Sequence, residues 1–235
     1  MVDNPLDRAP FHWRGQRLEL LAAKALWEPE QKLLLVADLH LGKAETFQSQ
    51  GIALPSDGDA GTLNSLLTLA HVWRPQEVVV LGDLIHSRLG LTAELRQKLR
   101  ALPQLLGCRL RLIGGNHERG SWIEGLPQEP AIARGSLWLS HGPEDQPPPG
   151  STDLLHVCGH LHPVALIGDR SDRLRLPCFS YDPGSRRLVL PSFGQLTGGH
   201  PCDPGEQIWL VADGAIVPWQ ALSPQPPGRA PHRRG

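Results

Sequence analysis

LRLIGGNHE, residues 110–118, is the stretch on which the fold turns. Leu110-Arg-Leu-Ile113 is a short, mainly aliphatic run, and it gives way at once to two glycines, an amide, an imidazole and a carboxylate. A run this brief is too short for a stable helix and reads as an interior strand with both faces buried. The polar cluster then sits where the strand ends. In open α/β sheets, ligand sites lie outside the carboxyl ends of strands.

The same arrangement recurs along the chain. Leu33–Ala37 ends in Asp38-Leu-His40, and Glu77–Leu81 ends in Gly82-Asp83. Ser136–Ser140 runs into His141-Gly-Pro143, and Leu154–Cys158 into Gly159-His-Leu-His162. Helical stretches separate the first three strands. One spans about residues 57–73 and carries Leu63, Leu66, Leu67 and Ala70 at helical spacing; another follows Thr92, an N-cap, through Leu95, Leu99 and Leu102. Strands alternating with helices predict an α/β core. Beyond Gly159, residues 164–167, 174–179, 187–190, 208–211 and 215–219 alternate with Asp-Pro-Gly and Gly-rich turns, which predicts consecutive antiparallel strands. Residues 16–27 add strands on the N-terminal side, and Pro147–Pro149 marks an exposed loop. The expected organisation is one domain over residues 11–222, with 1–10 and 223–235 disordered.

Composition bounds the function. The chain has 235 residues, 40% hydrophobic and 20% charged, with a formal net charge of -1. No overall basic field draws it to nucleic acid, so binding to a phosphate polymer must use local charge or metal ions. Cys108, Cys158, Cys178 and Cys202 form no C-x-x-C pair, which predicts reduced thiols rather than a zinc cluster. Neither a signal-peptide profile nor a membrane-length apolar run is visible, so a cytoplasmic location is expected.

The strand ends carry carboxylate, amide oxygen and imidazole, a donor set suited to hard-to-borderline divalent metals. In extended backbone, residues two apart project to one face, so both members of D-x-H and of H-x-H are expected to reach one centre. Read singly, each is weaker. Asp83 after glycine is an ordinary turn residue or helix cap. His160 and His162 alone read as solvent-facing strand histidines, and His141 as part of a plain turn. His86 is open between orienting a metal ligand and a structural role. His12, His71, His156, His200 and His232 belong to no motif. The tryptophans read as packing rather than as a base-stacking platform.

The ordered series D-x-H, G-D, G-N-H-E, H, G-H-x-H over residues 38–162 resembles the calcineurin-like metallophosphoesterase superfamily. The resemblance implies a four-layer α/β/β/α sandwich with mixed sheets and an active site at the C-terminal ends of the strands. It implies two divalent ions, manganese foremost, with iron or zinc as alternatives. Asp38, His40 and His162 would hold one, Asn116, His141 and His160 the other, and Asp83 would bridge them. A water shared by such ions is acidified, and the resulting hydroxide attacks phosphorus in line with the leaving oxygen. His117 would serve that leaving oxygen, and Glu118 would orient His117 or its loop.

Further segments narrow the likeness. Ala37–Ala44, Phe47–Pro55, Gly82-Asp-Leu-Ile-His86, Gly159–Pro163 and Leu190–Gly199 resemble the bacterial ligase-associated DNA damage response endonucleases. That branch implies a manganese-dependent phosphodiesterase or endonuclease in DNA repair, working with an ATP-dependent DNA ligase, a helicase-like protein and an exonuclease. Ser140-His-Gly-Pro143 departs from the acid-containing form expected after this histidine. Lys43, Arg88 and Arg119 stand near the motifs as candidate contacts to substrate phosphate, and Arg170, Arg173, Arg175, Arg186 and Arg187 form a second basic group. Two alternatives remain open on the sequence. One is a phosphodiesterase or pyrophosphatase acting on small nucleotide or lipid-sugar substrates. The other is a noncatalytic metal-binding scaffold for DNA-processing partners, against which the presence of His117 argues.

Overall fold

A computed structural model describes residues 6–54, 58–118, 125–168, 172–195 and 197–219. The first sheet has seven strands, in the order in which they occur along the chain. They are β1 (Arg8–Trp13), β2 (Gln16–Leu21), β3 (Ala25–Glu28), β4 (Leu33–Val36), β5 (Glu77–Leu81), β6 (Arg109–Ile113) and β7 (Gln128–Glu129). The first four pair antiparallel. From β4 onward the pairing is parallel, with Val36 opposite Val80 and Leu81 opposite Ile113. Parallel strands in this register end together. The loops that carry Asp38, Asp83 and Asn116 therefore leave the sheet along one edge.

Parallel pairing needs crossovers, and the helices supply them. Helix α1 covers Lys43–Ser49, α2 Gly58–Trp73 and α3 Ala93–Leu106. Thr92 caps α3 as expected, its hydroxyl oxygen accepting the Leu95 N–H at 3.1 Å. Alternate residues of β5 serve different cores, because side chains along a strand alternate faces. Val78 and Val80 pack against Leu66, Leu69, Leu99 and Leu102 of the helices. Val79 and Leu81 face the second sheet, against Leu137, Leu139, Val157 and Phe179. Each such aliphatic side chain, fully buried, contributes roughly 1.5–3 kcal/mol.

The second sheet contains β8 (Ile132–Arg134), β9 (Leu137–Leu139), β10 (Leu155–Cys158), β11 (Pro163–Gly168), β12 (Arg173–Asp182), β13 (Arg187–Val189), β14 (His200–Pro201), β15 (Gln207–Ala212) and β16 (Ala215–Trp219). Its main path runs β14-β11-β12-β13-β10-β9-β8, and β15 joins through β12 with β16 beyond it. The expected antiparallel pairing holds for β11 with β12, β12 with β13 and β15, and β15 with β16. β10 is parallel to both β9 and β13, and β14 is parallel to β11. The parallel β9–β10 pair brings the loops of His141 and of His160 and His162 to a common edge.

The result is the expected two-sheet sandwich of mixed sheets. Helices α2 and α3 cover the outer face of the first sheet. On the second sheet, the described residues place a small cluster of Ala165, Cys178, Ile208 and Leu210 instead of a helix. Arg8, Ala9 and Pro10 belong to β1, where Ala9 is buried against the inter-sheet core. The expectation about 223–235 lies outside the described residues. No helix among the described residues is long and apolar enough to cross a membrane.

Candidate metal centre

The loops after β4 and β5 are laced together by main-chain hydrogen bonds. Asp38 N–H donates to the Gly82 carbonyl at 3.2 Å, His40 N–H to Asp83 at 2.9 Å, and His86 N–H to Leu41 at 2.9 Å. The expectation of extended backbone at D-x-H and H-x-H does not hold here. Asp38, His40, Asp83, His160 and His162 all have positive φ, between 46° and 67°. This left-handed region costs a non-glycine residue about 1 kcal/mol or more, and it persists only where surroundings fix it. Each paired side chain is aimed by a tight loop that reverses the chain, not by strand alternation.

Those surroundings are identifiable. Asp38 presents its carbonyl oxygen to the Ser192 hydroxyl at 2.7 Å and to the Gly194 N–H at 3.1 Å, and its Oδ2 accepts the His160 N–H at 2.9 Å. Asp83 Oδ1 accepts the His117 N–H at 3.0 Å. Glu118 is buried, and its carboxylate accepts three main-chain N–H groups: Asp83 at 3.0 Å, Ile85 at 3.1 Å and Gly115 at 2.9 Å. Its pKa is raised, by burial first, against which these amides act, and further by the charge of Asp83. Glu118 thereby joins the main chain of Asp83 and Ile85 to that of Gly115. Gly115 has to be glycine, because a Cβ there would overlap Asp83 and the Glu118 carboxylate.

Among the described residues the side-chain atoms converge in three groups. Asp38, His40 and His162 offer ligand atoms within 4.8 Å of one another, so do Asp83, His141 and His160, and so do His40, His86 and His117. Asn116 joins the second group, its Oδ1 lying 2.8 Å from His141 Nε2. His160 Nδ1 is 3.1 Å from the same nitrogen. Asp83 lies between the first two groups: Oδ1 is 3.6 Å from His141 Nε2, and Oδ2 is 3.9 Å from His40 Nε2. All seven residues expected as ligands are thus brought together.

Three observations show that the group fits cations. His141 Nδ1–H donates to the Leu81 carbonyl at 3.0 Å, which turns Nε2 toward the Asn116 oxygen at 2.8 Å and toward the centre. Asp38 is fully buried, yet its Oδ1 has no hydrogen-bond partner, and an unpaired buried carboxylate is costly without a positive charge. His40 Nε2 and His162 Nε2 approach to 3.2 Å. Burial, followed by the nearby His162, His117, Lys43 and His86, pushes the His40 pKa down to about 2, so this ring is neutral and able to offer a lone pair.

Beside these stands a stack of rings. His117 Nδ1–H donates to the His86 carbonyl at 2.5 Å, and its Nε2 faces Asp83 Oδ2 at 3.8 Å. The His86 ring stacks on His117 at 5.1 Å and on Phe47 at 5.9 Å. Burial, then Lys43 and His117, lowers the His86 pKa to about 4. His86 thus lies against His117 and forms the third group with it and His40, outside the seven residues expected as ligands. Lys43 begins α1, half-buried, in a small cavity it shares with His40, Asp59 and Gln195, and burial lowers its pKa. Arg88 is exposed on a 3-10 turn at Arg88–Gly90. Arg119 and Arg170 lie outside the described residues.

Several supports went unseen in the sequence. Ser192 and Gly194 fall in a segment noted only for its likeness to other chains, and Asp59, whose Oδ2 accepts the Gly42 N–H at 2.7 Å, carried no signal. Gly42 and Gly90 approach so closely that a Cβ on either would overlap the other. A glycine in each of two distant loops was the available clue, and one sequence does not pair them.

Neither a scan of protein-family models nor a search of curated proteins returns a match. Solved structures do match. A nuclease from Pseudomonas putida, MPE, superposes with a TM-score of 0.74 at 31% identity, over 91% of this chain and 100% of that one. The phosphoesterase YfcE from E. coli gives a TM-score of 0.42 at 18% identity, over 77% of this chain and 88% of its own. A predicted phosphoesterase from Streptococcus pneumoniae gives 0.36 at 15%, over 80% and 97%. The first carries the assignment, because it spans nearly all of both chains. This chain belongs to the metallophosphoesterase superfamily, in the nuclease branch that its motifs resemble, and is a metal-dependent phosphoesterase.

Proposed function

We propose that this protein hydrolyses phosphodiester bonds in DNA with a two-cation centre. Asp38, His40 and His162 hold one divalent ion, Asn116, His141 and His160 the other, and Asp83 contacts both. The observation that carries the reading is the convergence of these ligand atoms from five loops at the ends of two sheets, with Asp38 Oδ1 buried and without a hydrogen-bond partner. Manganese suits this oxygen and imidazole set, with iron or zinc as alternatives. When bound, such ions neutralise phosphoryl oxygens and supply an activated water.

The chain's own residues do the rest. Glu118 pins the Asp83 loop to the Gly115 turn, so the centre is rigid before substrate arrives. His141 keeps its ring orientation through the Leu81 carbonyl, a support that fixes which nitrogen faces the cations. His117, held through Nδ1, turns Nε2 toward the centre, where it protonates or hydrogen-bonds the leaving oxygen. His86 stacks on that ring, and Phe47 stacks on His86 behind it, which holds the orientation of both imidazoles. Lys43, beside His40, meets a phosphate oxygen.

DNA as the polymer is supported by the similarity to a nuclease over 91% of this chain. Work in DNA repair beside an ATP-dependent ligase, a helicase-like protein and an exonuclease rests on the motif resemblance alone. The test is a panel of single-stranded DNA, duplex DNA and bis-p-nitrophenyl phosphate with manganese. Cleavage of all or some DNA forms supports the reading; hydrolysis of the small diester with every DNA form intact refutes DNA as substrate.

A further inference from the structure

A cavity of about 340 Å³ opens beside His162, between the β11–β12 hairpin and the loop leading from Ser192 to Gly199. Its volume falls in the range of small-molecule sites, about 300–1,000 Å³. None of the other six cation-holding residues lines it. Nothing in the hydrolytic centre accounts for its shape.

The walls have two characters. Pro163, Val164 and Pro177 give a flat apolar side. Polar groups also line it: the exposed Arg175 guanidinium, two residues from Pro177 on β12, whose Nη2 donates to the Gly199 carbonyl, and the main chain of Gly198 and Gly199. The N–H groups of both glycines have no main-chain acceptor among the described residues. Arginine has five donors in a planar fork, so a single carbonyl leaves most of them free for a phosphate. Gln195 lines this cavity and also the small one that holds His40 and Lys43. Lys43 and Arg175 thus stand to either side of Gln195, flanking the cation ligands His40 and His162. A lone phosphate would find no use for the apolar wall. A nucleotide uses all of it: base against the prolines and Val164, sugar or base edge on Gln195 and the glycine amides, and the next phosphate on Arg175.

We propose that this cavity is a nucleotide subsite, holding the residue of a DNA strand adjacent to the bond being cleaved. The proposal rests on the phosphodiesterase reading above. It makes the protein a reader of polynucleotide, not only of a phosphodiester.

Calorimetric titration of the manganese-loaded His117→Ala variant, which should keep its metal but hydrolyse slowly, tests it, with methyl phosphate, thymidine 5′-monophosphate and a thymidine trinucleotide as probes. Thymidine 5′-monophosphate should bind at least tenfold more tightly than methyl phosphate, and the trinucleotide more tightly still. Arg175→Ala should remove most of the trinucleotide's advantage. A Cβ at Gly198 meets nothing within 4 Å, so Gly198→Leu adds bulk at the rim without disturbing the fold and should cut nucleotide binding toward the methyl phosphate level. Equal binding of methyl phosphate and the mononucleotide overturns the subsite. Equal binding of mononucleotide and trinucleotide overturns its assignment to a strand. Nucleotide binding unaffected by both substitutions places the nucleotide elsewhere. Bis-p-nitrophenyl phosphate hydrolysis, measured separately, reports on the phosphodiesterase reading, so the two failures are distinguishable.

Discussion

Glu118→Gln is the perturbation whose consequence can be worked through most fully. The side chain is 1% exposed, and its two oxygens serve three main-chain donors on two loops: Oε2 takes Asp83 and Gly115, and Oε1 takes Ile85. Glutamine keeps the shape but has one acceptor oxygen. With that oxygen turned to Asp83 and Gly115, the new NH2 meets the Ile85 N–H, and one buried donor is left unsatisfied. The opposite rotamer strands two donors and is worse. One unsatisfied buried N–H costs about 1–3 kcal/mol, so the metal-free protein should lose about that much stability. Urea denaturation measures it as a lower midpoint at unchanged slope. Because Glu118 also holds Asp83 in place, manganese affinity should weaken in the same variant. A stability change under about 0.5 kcal/mol with manganese affinity unchanged would refute the claim that this carboxylate ties the two loops, since even the weakest case exceeds it.

Other perturbations have equally definite outcomes. His117→Ala should keep its manganese but lose roughly 10²–10⁴-fold in kcat, the usual contribution of a general acid; loss of metal along with rate would move His117 into the ligand set. At Gly82 the backbone has φ 77°, and a Cβ would overlap the His141 ring. Gly82→Ala should therefore displace His141, and elemental analysis should find less than the wild-type manganese per chain. The neutral His156, buried under the site with Nε2 2.7 Å from Ser140 Oγ, is held at a pKa of about 4 by burial and then by Arg187. The unfolded chain protonates there near 6.5, so this contribution is full above that pH and is lost as pH falls toward 4. It amounts to about 2 kcal/mol by pH 5. In denaturation of metal-free protein between pH 7 and 5, His156→Gln should flatten the decline, and an unaltered profile would contradict the assignment.

Much of the site was legible because its residues are chemically distinctive and their placement is topological. Once Leu33–Val36, Glu77–Leu81 and Arg109–Ile113 are read as adjacent parallel strands, Asp38, Asp83 and Asn116 must emerge at one edge. The local geometry was not legible. Asp38, His40, Asp83, His160 and His162 adopt left-handed backbone that their side chains disfavour, and only contacts from remote loops stabilise it. Propensity reasoning is blind to such tertiary compensation. Helix α1 was missed because Lys43–Ser49 is short and is entered from Gly42 in a left-handed conformation with no side-chain cap, so it lacks both length and an N-cap signal. β1 was missed because Arg8, Pro10 and His12 look outward and dilute the apolar signal of Ala9, Phe11 and Trp13.

The central claim is that two cations sit among these loops with Asp83 touching both. Anomalous diffraction at the manganese edge, on crystals of manganese-loaded protein, addresses it directly. Two peaks are predicted, one enclosed by Asp38, His40 and His162 and one by Asn116, His141 and His160, each within bonding distance of an Asp83 oxygen. A single peak, or peaks that leave Asp83 uncoordinated, would contradict the account.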